Sequence, residues 1–164
     1  MLIVERRIAS QPHADADLVL PFEERRKARQ RTRISNGEEV ALFLDRGTIL
    51  HDGDCLACAD GRVVRVVAAP EELMEVRTGD VELLARAAYH LGNRHWPIEI
   101  RADAIRFPAD RILGEMLLTL GLQAAVMSAP FEPEAGAYAA GHHHHSGEAK
   151  HAGIIHDFAR RGPC

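Results

Sequence analysis

No apolar run in this sequence is long enough to cross a bilayer as a helix. The longest, "ILGEMLLTLGLQAAVMSAPF", is broken by Glu115 and reads as a helix followed by a strand, so no membrane partner is expected. Basic charge is not in excess: 20 Lys and Arg stand against 24 Asp and Glu, a net charge of −4. The imbalance sits in residues 71–136, which carry 6 basic and 11 acidic side chains, whereas residues 1–70 carry 11 of each and 137–164 carry 3 and 2. A general nucleic-acid binder needs a basic face to displace counterions, so no nucleic acid is expected either. Cysteine is scarce and odd in number, at three. The opening "MLIVERRIAS" has only a short apolar run before Glu5, so no export signal is expected, and the thiols should stay reduced in the cytoplasm. There is no G-x-x-x-x-G-K-[ST], G-x-S-x-G, H-E-x-x-H or G-x-G-x-x-G. Each of those motifs fixes a phosphate, nucleophile, metal or dinucleotide, and without them an enzyme has little to stand on.

What is present falls into three parts. Apolar residues make up 46% of the chain, enough for a packed core. Residues 1–72 show short alternating runs, "LIVERRI", "RQRTRIS", "EEVALFLD" and "GRVVRVVA", separated by "SNG", "DRGT", "HDGD" and "ADG". That grammar predicts a small all-β domain. From 73 to 136 the pattern becomes strand "LMEVR", helix "DVELLARAAYHLGN", strands "WPIEIRA" and "AIRF", helix "PADRILGEMLLTLG" and strand "LQAAVMSAPF". Asp80 reads as the first helix's N-cap, Gly92 and Asn93 as its left-handed C-cap, and Val81, Leu84, Ala88 and Leu91 as its buried stripe. Ile112, Leu113, Met116, Leu117 and Leu120 read as the buried face of the second helix, with Gly121 its stop. The β-α-β-β-α-β order predicts a ferredoxin-like domain, making the whole chain α+β. Residues 137–164 are expected to form a flexible, His-rich tail.

Six of the ten histidines lie in "GHHHHSGEAKHAGIIH". His142, His143, His144, His145, His151 and His156 are candidate metal ligands, since imidazole suits Zn, Cu, Fe and Ni. A purification tag or a merely soluble tail are the plainer alternatives. His95, in "LGNRHWP" between a helix end and Pro97, is a seventh candidate. One imidazole makes a poor site, but a two-fold dimer presents it twice, and the tail could supply further nitrogens. Only neutral imidazole ligates, so affinity should fall below about pH 6.5. "CLAC", Cys55 and Cys58, lacks a second Cys pair for zinc and reads as buried structural cysteine. Arg29, Arg31 and Arg33 alternate with Gln30, Thr32 and Ile34, giving one basic strand face. It is either solvated or docks an acidic protein, and RNA is disfavoured because no aromatics are interleaved.

The stretches "RQRTRISNGEEVALFLDRGTILHDGDCLACADG", "AYHLGNRHWPIEI" and "QAAVMSAPFEPEAGAY", followed by a His-rich end, resemble the urease accessory protein UreE family of nickel metallochaperones. The resemblance spans roughly residues 1–145, with "HLGNRH" and "PFEPEAGAY" as its most specific elements. It implies a β-rich N-terminal domain that docks protein partners, and a ferredoxin-like domain that forms a homodimer with His95 as the shared metal ligand. The cargo implied is Ni²⁺, with Zn²⁺ and Cu²⁺ expected to bind in vitro. Delivery would be to the urease apoprotein, with the urease accessory proteins including the accessory GTPase. Many family members carry H-D-H at the start of the second helix. Here Ala109, Asp110 and Arg111 stand instead, so both auxiliary histidines are absent, only Asp110 remains, and the burden of auxiliary binding shifts to the tail. His90 reads as packing against the helix stripe, and His51, His13 and Cys164 are given no role. The alternative is a His-rich metal buffer with no dedicated delivery partner.

Overall fold

The structure, a computed structural model, describes residues 1–135. The first sheet has six strands: β1 (Leu2–Ile8), β2 (Ala16–Leu20), β3 (Arg29–Arg33), β4 (Glu39–Phe43), β5 (Cys55–Cys58) and β6 (Val63–Ala68). They lie in the order β2-β6-β5-β1-β4-β3, with β1–β4 and β2–β6 parallel and the other pairs antiparallel. Alternate residues turn inward, as period-2 patterning requires: Leu2 and Val4, Leu18 and Leu20, Val40 and Leu42, Val64 and Val66 form one buried cluster. Each such side chain contributes about 1.5–3 kcal/mol by leaving water.

Two elements are additions to the sequence reading. β2 follows Pro12 and Asp15, but its "LVL" shows no apolar–polar alternation to mark it as a strand. The single-turn helix α1 (Phe22–Arg25) is too short to show a 3.6-residue period, although Pro21 stands at its N-cap. Leu56 and Cys58 point into the cluster while Cys55 is buried on the other side of β5, as positions three apart must be. Burial pushes the Cys58 thiol above its ordinary pKa, which disfavours the thiolate that metal or redox chemistry needs.

The second sheet is antiparallel throughout, in the order β10-β7-β9-β8: β7 (Pro70–Arg77), β8 (Glu99–Ile100), β9 (Ala104–Pro108) and β10 (Ala124–Pro130). Helices α2 (Val81–Gly92) and α3 (Arg111–Thr119) connect its strands in β-α-β-β-α-β order. β7 starts at Pro70, earlier than "LMEVR" suggested, because β10 pairs along its whole length to Pro70. β8 is only two residues long: Pro97 has no N–H to give a ladder, and the carbonyl of Ile98, the residue between Pro97 and β8, accepts from Glu134 N at 2.8 Å. Asp80 and Asp110 cap the helices, accepting from Leu83 N at 3.1 Å and Leu113 N at 2.9 Å. The stripes differ from expectation at their first turns. Val81 is 77% and Ile112 67% exposed, and the buried helix residues are Ala87, Leu91, Leu113 and Leu117. At about 100° per residue, Val81 and Ile112 lie roughly 80–140° around the helix axis from those buried residues, so each falls outside the narrow face that meets the sheet.

Val76, Ile105 and Phe107 face the helices; Leu73 faces the other way, into a cluster with Phe22 and Phe131. The two phenyl rings meet edge to face, 5.7 Å between centroids and 83° apart. On that same side Glu75 takes hydrogen bonds from Arg106 Nε (2.7 Å) and Arg77 Nη2 (3.0 Å). The Arg106 bond above all, and then that of Arg77, holds its carboxyl below the usual glutamate range in spite of burial. A depressed folded pKa gives stability that is present above the unfolded value of about 4.3 and is lost as pH falls through the folded one. Glu75→Gln should therefore flatten the acid limb of a stability-against-pH curve below about pH 4.3. An unchanged slope in urea titrations would show that Glu75 does not govern it.

Candidate metal centre

α2 and α3 end in the same way. At α3, Gly121 N donates to Leu118 O (2.9 Å) and Leu122 N to Leu117 O (3.0 Å), with Gly121 at φ +86°. This is the Schellman cap, whose left-handed position normally falls to glycine. At α2 the corresponding bonds run from His95 N to Gly92 O (2.8 Å) and from Trp96 N to Leu91 O (3.4 Å). The left-handed residue there is His95, at φ +55°, the one non-glycine residue with positive φ among the described residues. Trp96 packs with Leu91 in the core, supplying the apolar contact that goes with such a cap, and its Nε1 donates to Pro108 O at 3.4 Å.

The expected cap at Gly92 and Asn93 is thereby corrected. Asn93 is right-handed (φ −62°), and the chain reverses at His95 because Trp96 must return to the core beside Leu91. An L-residue held left-handed costs about 1–2 kcal/mol relative to glycine. His95 is exposed, and among the described residues its imidazole has no hydrogen-bond partner. Fold stability is thus no reason for histidine at this position. The clue in the sequence was an apolar residue directly after the histidine and another five places before that one.

The other histidines divide sharply. His90 is half-buried and meets Tyr89 edge-on at 5.3 Å. His13 is exposed. His51 Nδ1 lies 2.9 Å from Glu132 Oε2, a contact no local pattern could reveal. Glu132 also accepts from Asp52 N (3.0 Å) and pairs with Arg25, whose side chain is wholly buried. Arg25 donates in addition to Leu20 O (3.3 Å), Leu50 O (3.1 Å) and Phe131 O. The "PFE" of the distinctive "PFEPEAGAY" is therefore a clasp between the two sheets. Among the described residues no group of three or more His, Cys, Asp or Glu side chains converges to hold an ion. His142, His143, His144, His145, His151 and His156 lie outside the described residues.

Both sheets match models of an accessory chaperone class rather than an enzyme class: "UreE urease accessory protein, N-terminal domain" over residues 3–69, and its C-terminal domain counterpart over residues 71–158. The chain belongs to the UreE family of urease accessory proteins. It is similar to the urease accessory proteins UreE of Cupriavidus pinatubonensis and Cupriavidus necator, 51% identical over 146 residues in each case. Those matches cover 84% of this chain and 66% and 76% of the relatives. The Nitrosococcus oceani protein of the same name is 45% identical over 93% of both chains. Among the described residues no helix is long and apolar enough to cross a membrane.

Proposed function

We propose that this protein is a cytoplasmic nickel carrier for urease maturation. In this reading residues 73–136 form a ferredoxin-like unit that pairs two chains and binds one Ni²⁺ between their His95 side chains. Histidines of the 137–164 tail complete the coordination. Residues 1–72 dock the delivery partners, namely the urease apoprotein and the accessory proteins including the GTPase. The carrying observation is the doubled cap: one fold position, filled by Gly121 in one helix and by exposed His95 in the other. A residue that stands against local backbone preference, in a chain that belongs to a urease accessory family, is best explained by what its side chain binds. The strand order β10-β7-β9-β8 supports the ferredoxin-like assignment. Self-association is supported by Val81, Tyr89, Ile100, Ile112, Leu118 and Val126, each at least half exposed. Asp110 is engaged as an N-cap and Arg111 pairs with Glu115, so the start of α3 offers no ligand set and the tail carries the auxiliary role.

Deleting residues 141–164 tests the carrier against the buffer. A carrier should retain about one tight Ni²⁺ per two chains in equilibrium dialysis, held by the paired imidazoles. A buffer should lose nearly all of its capacity, and that result would overturn the proposal.

A further inference from the structure

β3 is an edge strand with a defined phase. The bonds Leu44 N to Ala28 O (2.8 Å) and Ile34 N to Glu38 O (3.0 Å) bracket its ladder with β4. With the register Gln30↔Leu42 and Thr32↔Val40, the even positions spend their amides and carbonyls on β4. Arg29, Arg31 and Arg33 therefore turn three backbone N–H and C=O pairs outward, along an edge that no strand covers among the described residues. The same three side chains are exposed, whereas Gln30 and Thr32 are half-buried.

Charge and surface chemistry along this edge are asymmetric. Arg33 pairs with Glu39 at 2.7 Å, but Arg29 and Arg31 have no carboxylate partner among the described residues. Opposite Arg29 lies Phe43, 53% exposed; opposite Arg31 lies Ala41, with Ile3 (37% exposed) beside it on β1. A shallow depression of about 220 Å³ runs along the edge, lined by Met1, Arg31, Thr32, Arg33 and Glu39. Guarding an edge needs only charge; it does not call for an exposed phenyl ring next to the charges. Guanidinium forks match carboxylates two at a time, and outward amides match another polypeptide backbone.

We infer that the β3 edge is a docking site for an extended acidic segment of a protein partner, which adds as a seventh strand. Its backbone pairs with Arg29, Arg31 and Arg33, and carboxylates at alternate positions meet Arg29 and Arg31. This rests on the reading of residues 1–72 as the partner-docking part, and names the surface and the chemistry it accepts. RNA is the weaker occupant, since β3 interleaves no aromatic side chain and the free backbone groups suit a peptide.

The test uses the full chain and a fluorescent twelve-residue peptide alternating Glu with Val. Binding is read by anisotropy, and amide exchange is followed at Arg29, Arg31 and Arg33. The expected result is saturable binding with slowed exchange at those three amides. Arg31→Gln should weaken it about fivefold, the size of one exposed ion pair. Arg31→Pro should weaken it further, because it also removes an outward N–H while leaving the β4 ladder intact. Binding without amide protection, equal binding of a Lys-for-Glu peptide, or equal displacement by single-stranded RNA would each overturn the proposal. Should Arg31→Pro not fold, exchange in the unaltered chain still decides. Nickel retention by the Arg31→Gln chain, measured alongside, separates failure here from failure of the metal reading.

Discussion

Glu132→Ala should destabilise the fold by about 3 kcal/mol, although Glu132 is itself one-third exposed. The cost arises at its partner. Arg25 is fully buried, and its other acceptors, Leu20 O, Leu50 O and Phe131 O, are all neutral carbonyls. Removing the carboxylate leaves a guanidinium out of water with no counter-charge, the situation in which breaking a buried pair is most damaging. His51 and the Asp52 amide lose their acceptor in the same step. The exposure of Glu132 lets water reach the gap, which places the expected value at the lower end of the usual 3–5 kcal/mol. Glu132→Gln keeps a hydrogen-bond acceptor without the charge and should fall between alanine and the unaltered chain. Urea unfolding measures all three. A loss below about 1 kcal/mol for alanine, typical of a surface pair, would mean that the clasp is not holding Arg25.

His95→Gly should separate binding from folding. Substitutions that merely disturb a ligand's support lower metal affinity about 10–100-fold, so losing both imidazoles of the proposed pair should exceed the upper figure. The same substitution puts glycine where the backbone is left-handed, as Gly121 already does at the end of α3. Stability should therefore hold or rise by about 1 kcal/mol. His95→Ala is the informative companion: it should lose nickel equally while keeping the strained backbone. Calorimetry for nickel and thermal unfolding for stability read the two effects independently. If His95→Gly proved less stable than the unaltered chain, the histidine would have a packing role and the cap comparison would lose its meaning.

How much of this could be read from sequence followed the range of the interactions involved. The turn between β3 and β4 is legible because "SNG" announces it locally, and the Asp80 cap because it contacts an amide three residues away. Asp110 makes the same contact at α3, in a stretch read above for metal ligands and not for capping. His95 was picked out from its loop, but its left-handed backbone was not, since Gly92 and Asn93 were nearer and equally suitable by type. What decides between them is the return of Trp96 to Leu91, a packing fact. Arg25 was one of a run of basic residues with nothing to distinguish it. Its burial depends on Phe131 and Glu132, more than a hundred positions along the chain, and no periodicity reports that. The exposed Val81 and Ile112 show the converse error: helical spacing gives a stripe but not how narrow a face the sheet covers, and Leu113 is buried beside exposed Ile112.

A nickel-edge X-ray absorption spectrum of the chain lacking residues 141–164, recorded with light scattering on the same sample, most directly tests the doubled imidazole. The expected result is a species of two chains holding one ion, with imidazole scattering that disappears in His95→Gly. A single chain that holds nickel alone, or a two-chain species whose spectrum is indifferent to His95, would contradict it.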